Sequence, residues 1–84
     1  MEIGQVVFSK SGRDKGKTFI VIKIHENYVY LVDGKLRVLA APKKKKLKHI
    51  QPTNFIADLT TNGRMLQDAD IRKQLKAFIA KADW

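Results

Sequence analysis

Apolar residues recur at two periods along this chain, and the change of period divides it. From Gly4 to Pro52 the spacing is that of short strands. Val6-Val7-Phe8 is a brief β-prone run. In residues 18–24, Ile20, Ile22 and Ile24 fall on one face, with Phe19, Val21 and Lys23 on the other. His25-Glu26-Asn27 supplies turn residues, and Tyr28-Val29-Tyr30-Leu31-Val32 resumes with the β-branched and aromatic side chains that suit a pleated surface. Asp33-Gly34 is the two-residue signal for a type I′ hairpin. Residues 35–39 are therefore expected to return as a strand, with Leu36 and Val38 on one face. Ala40-Ala41-Pro42 breaks that strand, and residues 47–51 give a last one that Pro52 closes. Five short strands with tight turns predict a small antiparallel barrel, whose closure would remove exposed sheet edges.

Further on, the period becomes helical. Ile71, Leu75, Phe78, Ile79 and Ala82 form one apolar stripe, while Arg72, Lys73, Lys76 and Lys81 lie largely off it. A carboxylate at Asp68 or Asp70 can cap this helix, which is expected to pack on the barrel and end near Trp84. Residues 53–67 contain the apolar patch Phe55, Ile56 and Leu59, then the turn Asn62-Gly63. They fit either a short helical turn or an extended segment lying across the barrel. The expected organisation is one domain: a barrel over residues 1–53, then a linker and amphipathic helix over 54–84.

Composition narrows the class. The chain has 84 residues, 44% of them hydrophobic, which allows one domain with a small core. It contains no cysteine, excluding disulfides and thiolate metal sites. The first residues lack a basic start leading into an apolar run, and no apolar run could cross a bilayer, so a cytoplasmic protein without a membrane partner is expected. His25 and His49 are far apart and lack paired carboxylates or a nucleophile, so neither enzymatic activity, nor a small-molecule substrate, nor a cofactor or metal is expected.

Charge carries the functional signal. The net charge is +9, and it is unevenly placed: residues 1–52 hold a balance of +8, and residues 53–84 only +1. Such a charge attracts polyanions in a salt-dependent way. Two clusters stand out. In the first, Lys10, Arg13, Lys15 and Lys17 surround Gly12 and Gly16, so cations flank a backbone able to bend sharply. The P-loop spacing GxxxxGK[ST] is absent. In the second, Lys43, Lys44, Lys45, Lys46 and Lys48 surround Leu47, a run whose self-repulsion an anion would relieve. Each also has a bland reading: a soluble glycine hairpin for the first, a solvated connector or a guard against edge pairing for the second. Together they favour phosphate contact, with Arg37 as a flank. Tyr28 and Tyr30 share a strand face and could stack on unpaired bases or simply form barrel wall. Aromatics supply much of a small core, which favours the wall, and Phe8 and Phe19 are expected in the core.

The course from Gly4-Gln5-Val6-Val7 through Gly12-Arg13-Asp14-Lys15-Gly16-Lys17 to Val21-Ile22-Lys23-Ile24 resembles a KOW motif. With Asn27-Tyr28-Val29-Tyr30-Leu31-Val32-Asp33-Gly34, the lysine run and Leu47-Lys48-His49-Ile50-Gln51-Pro52-Thr53, it is similar to the L14e group of large-subunit ribosomal proteins and their bacterial KOW-domain relatives. The resemblance covers about residues 3–53. It implies an SH3-like barrel that binds ribosomal RNA through basic loops, with Arg13, Lys15 and Lys17 at the motif's basic positions and ribosomal proteins as further partners. Phe19 stands where many KOW sequences have glycine, which suits the L14e-like branch. The tail receives no role from the comparison. A contrasting expectation is a protein-interaction module using the barrel or the tail helix.

Overall fold

The computed structural model describes residues 1–82. Five antiparallel strands form one sheet: β1 (Gln5–Ser9), β2 (Thr18–His25), β3 (Tyr28–Val32), β4 (Lys43–Lys46) and β5 (Ile50–Ile56), in the order β4-β3-β2-β1-β5. One helix, α1 (Asp68–Ala82), follows. The fold is thus mainly β with a C-terminal helix, as the two periods predict. The helix end expected near Trp84 and the side chain of Ala82 lie outside the described residues.

The sheet curls, and its two faces bury different sets of residues. The concave face encloses Val7, Phe19, Val21, Val29, Leu31 and Ile50, which form the barrel interior. Against the convex face, α1 lays Ile71 and Leu75 on Val6, Ile20, Val32 and Ala57. Phe78 adds edge-on aromatic contacts with Phe8 and Phe55, at centroid distances of 6.0 and 5.4 Å. Phe19 is in the core as expected; Phe8 is only half-buried, because it faces the helix. Of the predicted helix stripe, Ile71 and Leu75 are buried and Phe78 half-buried, but Ile79 is 52% exposed.

Strand β2 departs from simple alternation. Val21 pairs with Leu31 and Lys23 with Tyr30, so two steps on β2 match one on β3 and Ile22 is the extra residue of a β-bulge. The bulge reverses the phase of everything after it. Ile20 and Ile22 pack toward the helix, but Ile24 turns into the barrel interior with Val21. The expectation that Ile20, Ile22 and Ile24 share one face fails for this reason.

A second correction concerns residues 33–42. Asp33-Gly34 does not make a two-residue hairpin. The Asp33 carboxylate accepts the backbone N–H groups of Lys35 (2.8 Å) and Arg37 (2.9 Å), folding the segment onto itself. Residues 35–39 form no strand, and Leu36 is 76% exposed. The partner of β3 is instead the lysine run, with Tyr28 opposite Lys46 and Leu31 opposite Lys43. The last strand runs from Ile50 to Ile56, past Pro52. Pro52 is tolerated because β5 lies at the edge of the sheet, where one side of its backbone needs no partner. Both edge strands thus carry residues that discourage further pairing, lysines in β4 and proline in β5. Phe55 and Ile56 belong to β5, and residues 57–67 cross irregularly to the helix, turning at Asn62 and Gly63 with positive φ.

Candidate nucleic-acid interface

The β1–β2 loop owes its shape to its own backbone. Ser9 closes its base by donating N–H to the Lys17 carbonyl (3.1 Å) and accepting from the Gly16 N–H (2.9 Å). Within it, Gly12–Asp14 form one 3₁₀ turn, entered and left through left-handed glycines at φ 71° (Gly12) and 84° (Gly16). The only carboxylate of the loop, Asp14, turns inward and meets the Arg37 guanidinium at 4.0 Å, with its side chain only 13% exposed. Lys10, Arg13, Lys15 and Lys17 all stand exposed, and none is in an ion pair among the described residues.

The lysine run alternates. Cross-strand pairing puts Lys44 and Lys46 on the convex face with Tyr30 and Tyr28, and turns Lys43 and Lys45 to the other side, where both are half-buried. Alternation separates neighbouring ammonium groups, which explains how four consecutive lysines form a strand at all. Lys45 reaches across to the β1–β2 loop and donates to the Ser11 carbonyl at 2.9 Å. Beyond β4, the 3₁₀ turn Leu47–His49 is tied to the same loop, because Lys10 donates its N–H to the His49 carbonyl at 2.8 Å. Lys48 is exposed on that turn.

Two basic segments far apart in sequence are therefore fastened to each other. The predicted cations nevertheless divide by role. Lys10, Arg13, Lys15, Lys17, Lys46 and Lys48 are exposed and in no ion pair among the described residues, and the exposed Lys44 lies over the Tyr28 ring; Arg37 and Lys45 are half-buried and engaged, and Lys43 is half-buried. Tyr28 and Tyr30 are half-buried rather than core.

Basic residues outside the expected set also gather. Lys23 reaches the Tyr30 ring, its ammonium 5.3 Å from the centroid. A groove of about 810 Å³ runs between the β1–β2 loop and α1, lined in part by Lys17, Lys35, Arg72, Lys73 and Lys76. The tail's near-neutral overall charge hides this clustering. Its described acids are engaged elsewhere: Asp58 accepts the Thr60 N–H (2.9 Å), Asp68 accepts the Leu39 N–H (2.8 Å), and Asp70 takes both the Arg64 guanidinium (2.8 and 2.6 Å) and the Gln67 N–H (2.9 Å). Helical spacing at Arg72, Lys73 and Lys76 was the available signal for the groove's far wall.

Among the described residues, no group of three or more His, Asp or Glu side chains could hold a metal ion, and no helix is long and apolar enough to cross a membrane. No protein-family model matches the chain. Curated relatives do. The chain is 27% identical over 59 residues to the large ribosomal subunit protein eL14 of Methanococcus maripaludis (strain C6), covering 70% of this chain and 71% of that one. With eL14 of Metallosphaera sedula it shares 23% identity over 77 residues, 90% of this chain and 77% of the relative. The resemblance to L14e-type ribosomal proteins is thus found across much of both chains.

Proposed function

We propose that this chain is a non-enzymatic RNA-binding protein of the translation machinery in the cytoplasm, contacting ribosomal RNA through the β1–β2 loop and the lysine strand. One observation carries the reading: Lys45 and Ser11 hold the two basic segments together at 2.9 Å, while the neighbouring Lys10, Arg13, Lys15, Lys17 and Lys48 stay exposed. Carboxylates that would quench this surface are few, and Asp14 is turned inward onto Arg37. Phosphates are the ligand such a surface fits, with Arg13 offering a planar fork and the lysines mobile point charges. Lys44 and Lys46 add exposed charge on the opposite face of β4. Arg37 and Lys45 support the surface by holding the loop, and Lys43 adds charge on the same face of β4 as Lys45. Similarity to eL14 supports ribosomal RNA as the target and ribosomal proteins as neighbours.

The test is RNA affinity measured against salt. Each phosphate neutralised contributes about 0.7–0.9 to the slope of log K against log salt. Arg13→Glu with Lys15→Glu should lower both affinity and slope for structured ribosomal RNA. Unchanged binding would rule out the loop.

A second reading, protein docking, draws on the groove beside α1. Its lining sets Leu75 and the exposed Ile79 among five basic side chains and one carboxylate, Asp33, which suits an acidic amphipathic segment. A partner retained after nuclease treatment, and lost on Lys73→Glu with Lys76→Glu, would favour it.

A further inference from the structure

Beyond the helix-covered part, the convex face of the sheet carries two cross-strand rungs. Register places Lys23, Tyr30 and Lys44 on one, and His25, Tyr28 and Lys46 on the next. Residues directly opposite in an antiparallel sheet share a face, so each tyrosine stands between two basic side chains. This pattern is created by the bulge at Ile22. Without the extra residue, Ile22 and Ile24 would flank the tyrosines; with it, Ile24 is internal and Lys23 and His25 take those places. The hydrophobic core beneath α1 reaches Val32 of β3 and stops there.

Neither ring is buried. The Lys44 ammonium lies 4.3 Å from the Tyr28 centroid, and Lys23 lies 5.3 Å from that of Tyr30. Beside Tyr28 opens a groove of about 460 Å³ lined by Asn27, Tyr28, Lys46, Leu47 and Lys48. Glu26, next to this stretch in sequence, sits against His25 at 3.9 Å and forms no ion pair with a lysine among the described residues. Aromatic rings on a strand, interleaved with exposed cations, combine what an unpaired nucleotide requires: a π-face for the base and charge for its phosphate.

We infer that Tyr28 and Tyr30, flanked by Lys23, Lys44 and Lys46, form a stacking site for unpaired nucleotides. The inference rests on the RNA-binding reading and adds to it the class of RNA: single-stranded segments or loops, in addition to phosphates held by the β1–β2 loop. An exposed lysine over a ring makes a weak contact and a flexible one. On binding, Lys44 swings from the Tyr28 ring to the phosphate, and the base takes its place. Lys46 and Lys48 hold the neighbouring phosphate, and the Asn27 amide lies where a base edge would enter the groove.

The experiment compares labelled unstructured RNA with a fully paired RNA hairpin of equal length, by fluorescence anisotropy. Tyr28→Leu and Tyr30→Leu keep apolar bulk on the sheet but remove the π-face; Tyr28→Phe and Tyr30→Phe keep both. Each Leu variant should lose roughly 5- to 150-fold in affinity for the unstructured RNA, and much less for the hairpin, with an unchanged salt slope. Each Phe variant should stay near wild type. Photocrosslinking of uridine-containing RNA should place adducts on Tyr28 or Tyr30. Leu variants that bind unstructured RNA as wild type does would overturn the stacking site while leaving the phosphate reading intact, as would an equal loss for both RNAs. A wild-type protein that binds neither RNA would overturn both.

Discussion

Lys45 donates its ammonium to the Ser11 carbonyl at 2.9 Å, joining the edge strand of the sheet to the β1–β2 loop across 34 residues of sequence. Ser11 also accepts from the Ser9 hydroxyl at 3.1 Å, so one carbonyl anchors both the loop's base and its far wall. A half-buried charge-assisted bond of this kind is worth about 1.5–3 kcal/mol. Lys45→Met keeps the apolar stem and should destabilise the fold by roughly 1–2 kcal/mol in urea unfolding. Amide exchange at Lys15 and Gly16, which bond back to Gly12 and Ser9, should accelerate more than exchange in β2. Replacing the exposed Lys15 by Met should leave stability within about 0.5 kcal/mol. The pair of variants separates the lysine that builds the surface from one that is offered to a ligand.

Gly34 is the other joint of the molecule. Its φ is +76°, and a Cβ there would meet the Asp68 carbonyl oxygen at 2.6 Å and the Arg72 Cγ at 2.8 Å. Arg72 in turn donates to the Gly34 carbonyl at 2.6 Å, so the 33–37 turn rests directly on the first turns of α1. Gly34→Ala combines left-handed strain with overpacking against backbone, and should cost roughly 2–4 kcal/mol. Helical ellipticity should melt earlier than in wild type, because α1 loses its seat. Gly63→Ala has a similar φ of +88° but open space around it, and should cost less, about 1 kcal/mol.

That contact also explains what the sequence conceals. Asp-Gly after a β-prone run is a strong local hairpin signal, yet here Asp33 bonds its own loop and Gly34 bonds the helix, a partner 38 residues away. A tertiary contact overrides the local preference, and β3 is left to pair with the lysine run. Strands β1 to β3 and the helix were legible because alternation and 3.6-residue spacing are local. The bulge at Ile22 was not, since an unbroken apolar run looks the same with or without an extra residue. For the site, glycine and cation positions in one loop were legible. The flanking of Tyr30 by Lys23 was not, because it depends on that hidden phase change. Asp70 does take part in capping, but by reaching back to the Gln67 N–H rather than by preceding the helix.

The helix is held by a few side chains, and their burial ranks them. Ile71 is fully buried beside Val6, Ile20 and Val32, whereas Ile79, on the same predicted stripe, is 52% exposed. Ile71→Ala should cost about 2–5 kcal/mol, the range for removing a large aliphatic side chain from a packed core. Ile79→Ala should shift stability by no more than about 0.5 kcal/mol. Thermal or urea unfolding of the two variants checks the ranking, and equal costs would mean that α1 packs in a different rotation. Ile79→Ala should also leave RNA affinity unchanged, while weakening the binding of any acidic peptide that docks in the groove it lines.

Acid should weaken the start of α1. Hydrogen bonds from the Arg64 guanidinium, and then from the Gln67 N–H, hold the Asp70 carboxyl well below the usual carboxylate range. A folded-state value depressed below the unfolded one of about 3.9 stabilises the fold fully above that pH, and the contribution is lost as pH falls through the folded value. Asp70→Asn removes the charge at every pH. Its melting temperature should therefore lie below that of wild type near pH 7, and the two should converge as the pH drops below about 4. Arg64→Gln should reproduce the deficit near neutrality, because it removes the donor that contributes most. A gap between wild type and Asp70→Asn that stays constant down to about pH 2 would show that the Asn variant disturbs the helix start for some reason other than the lost carboxylate.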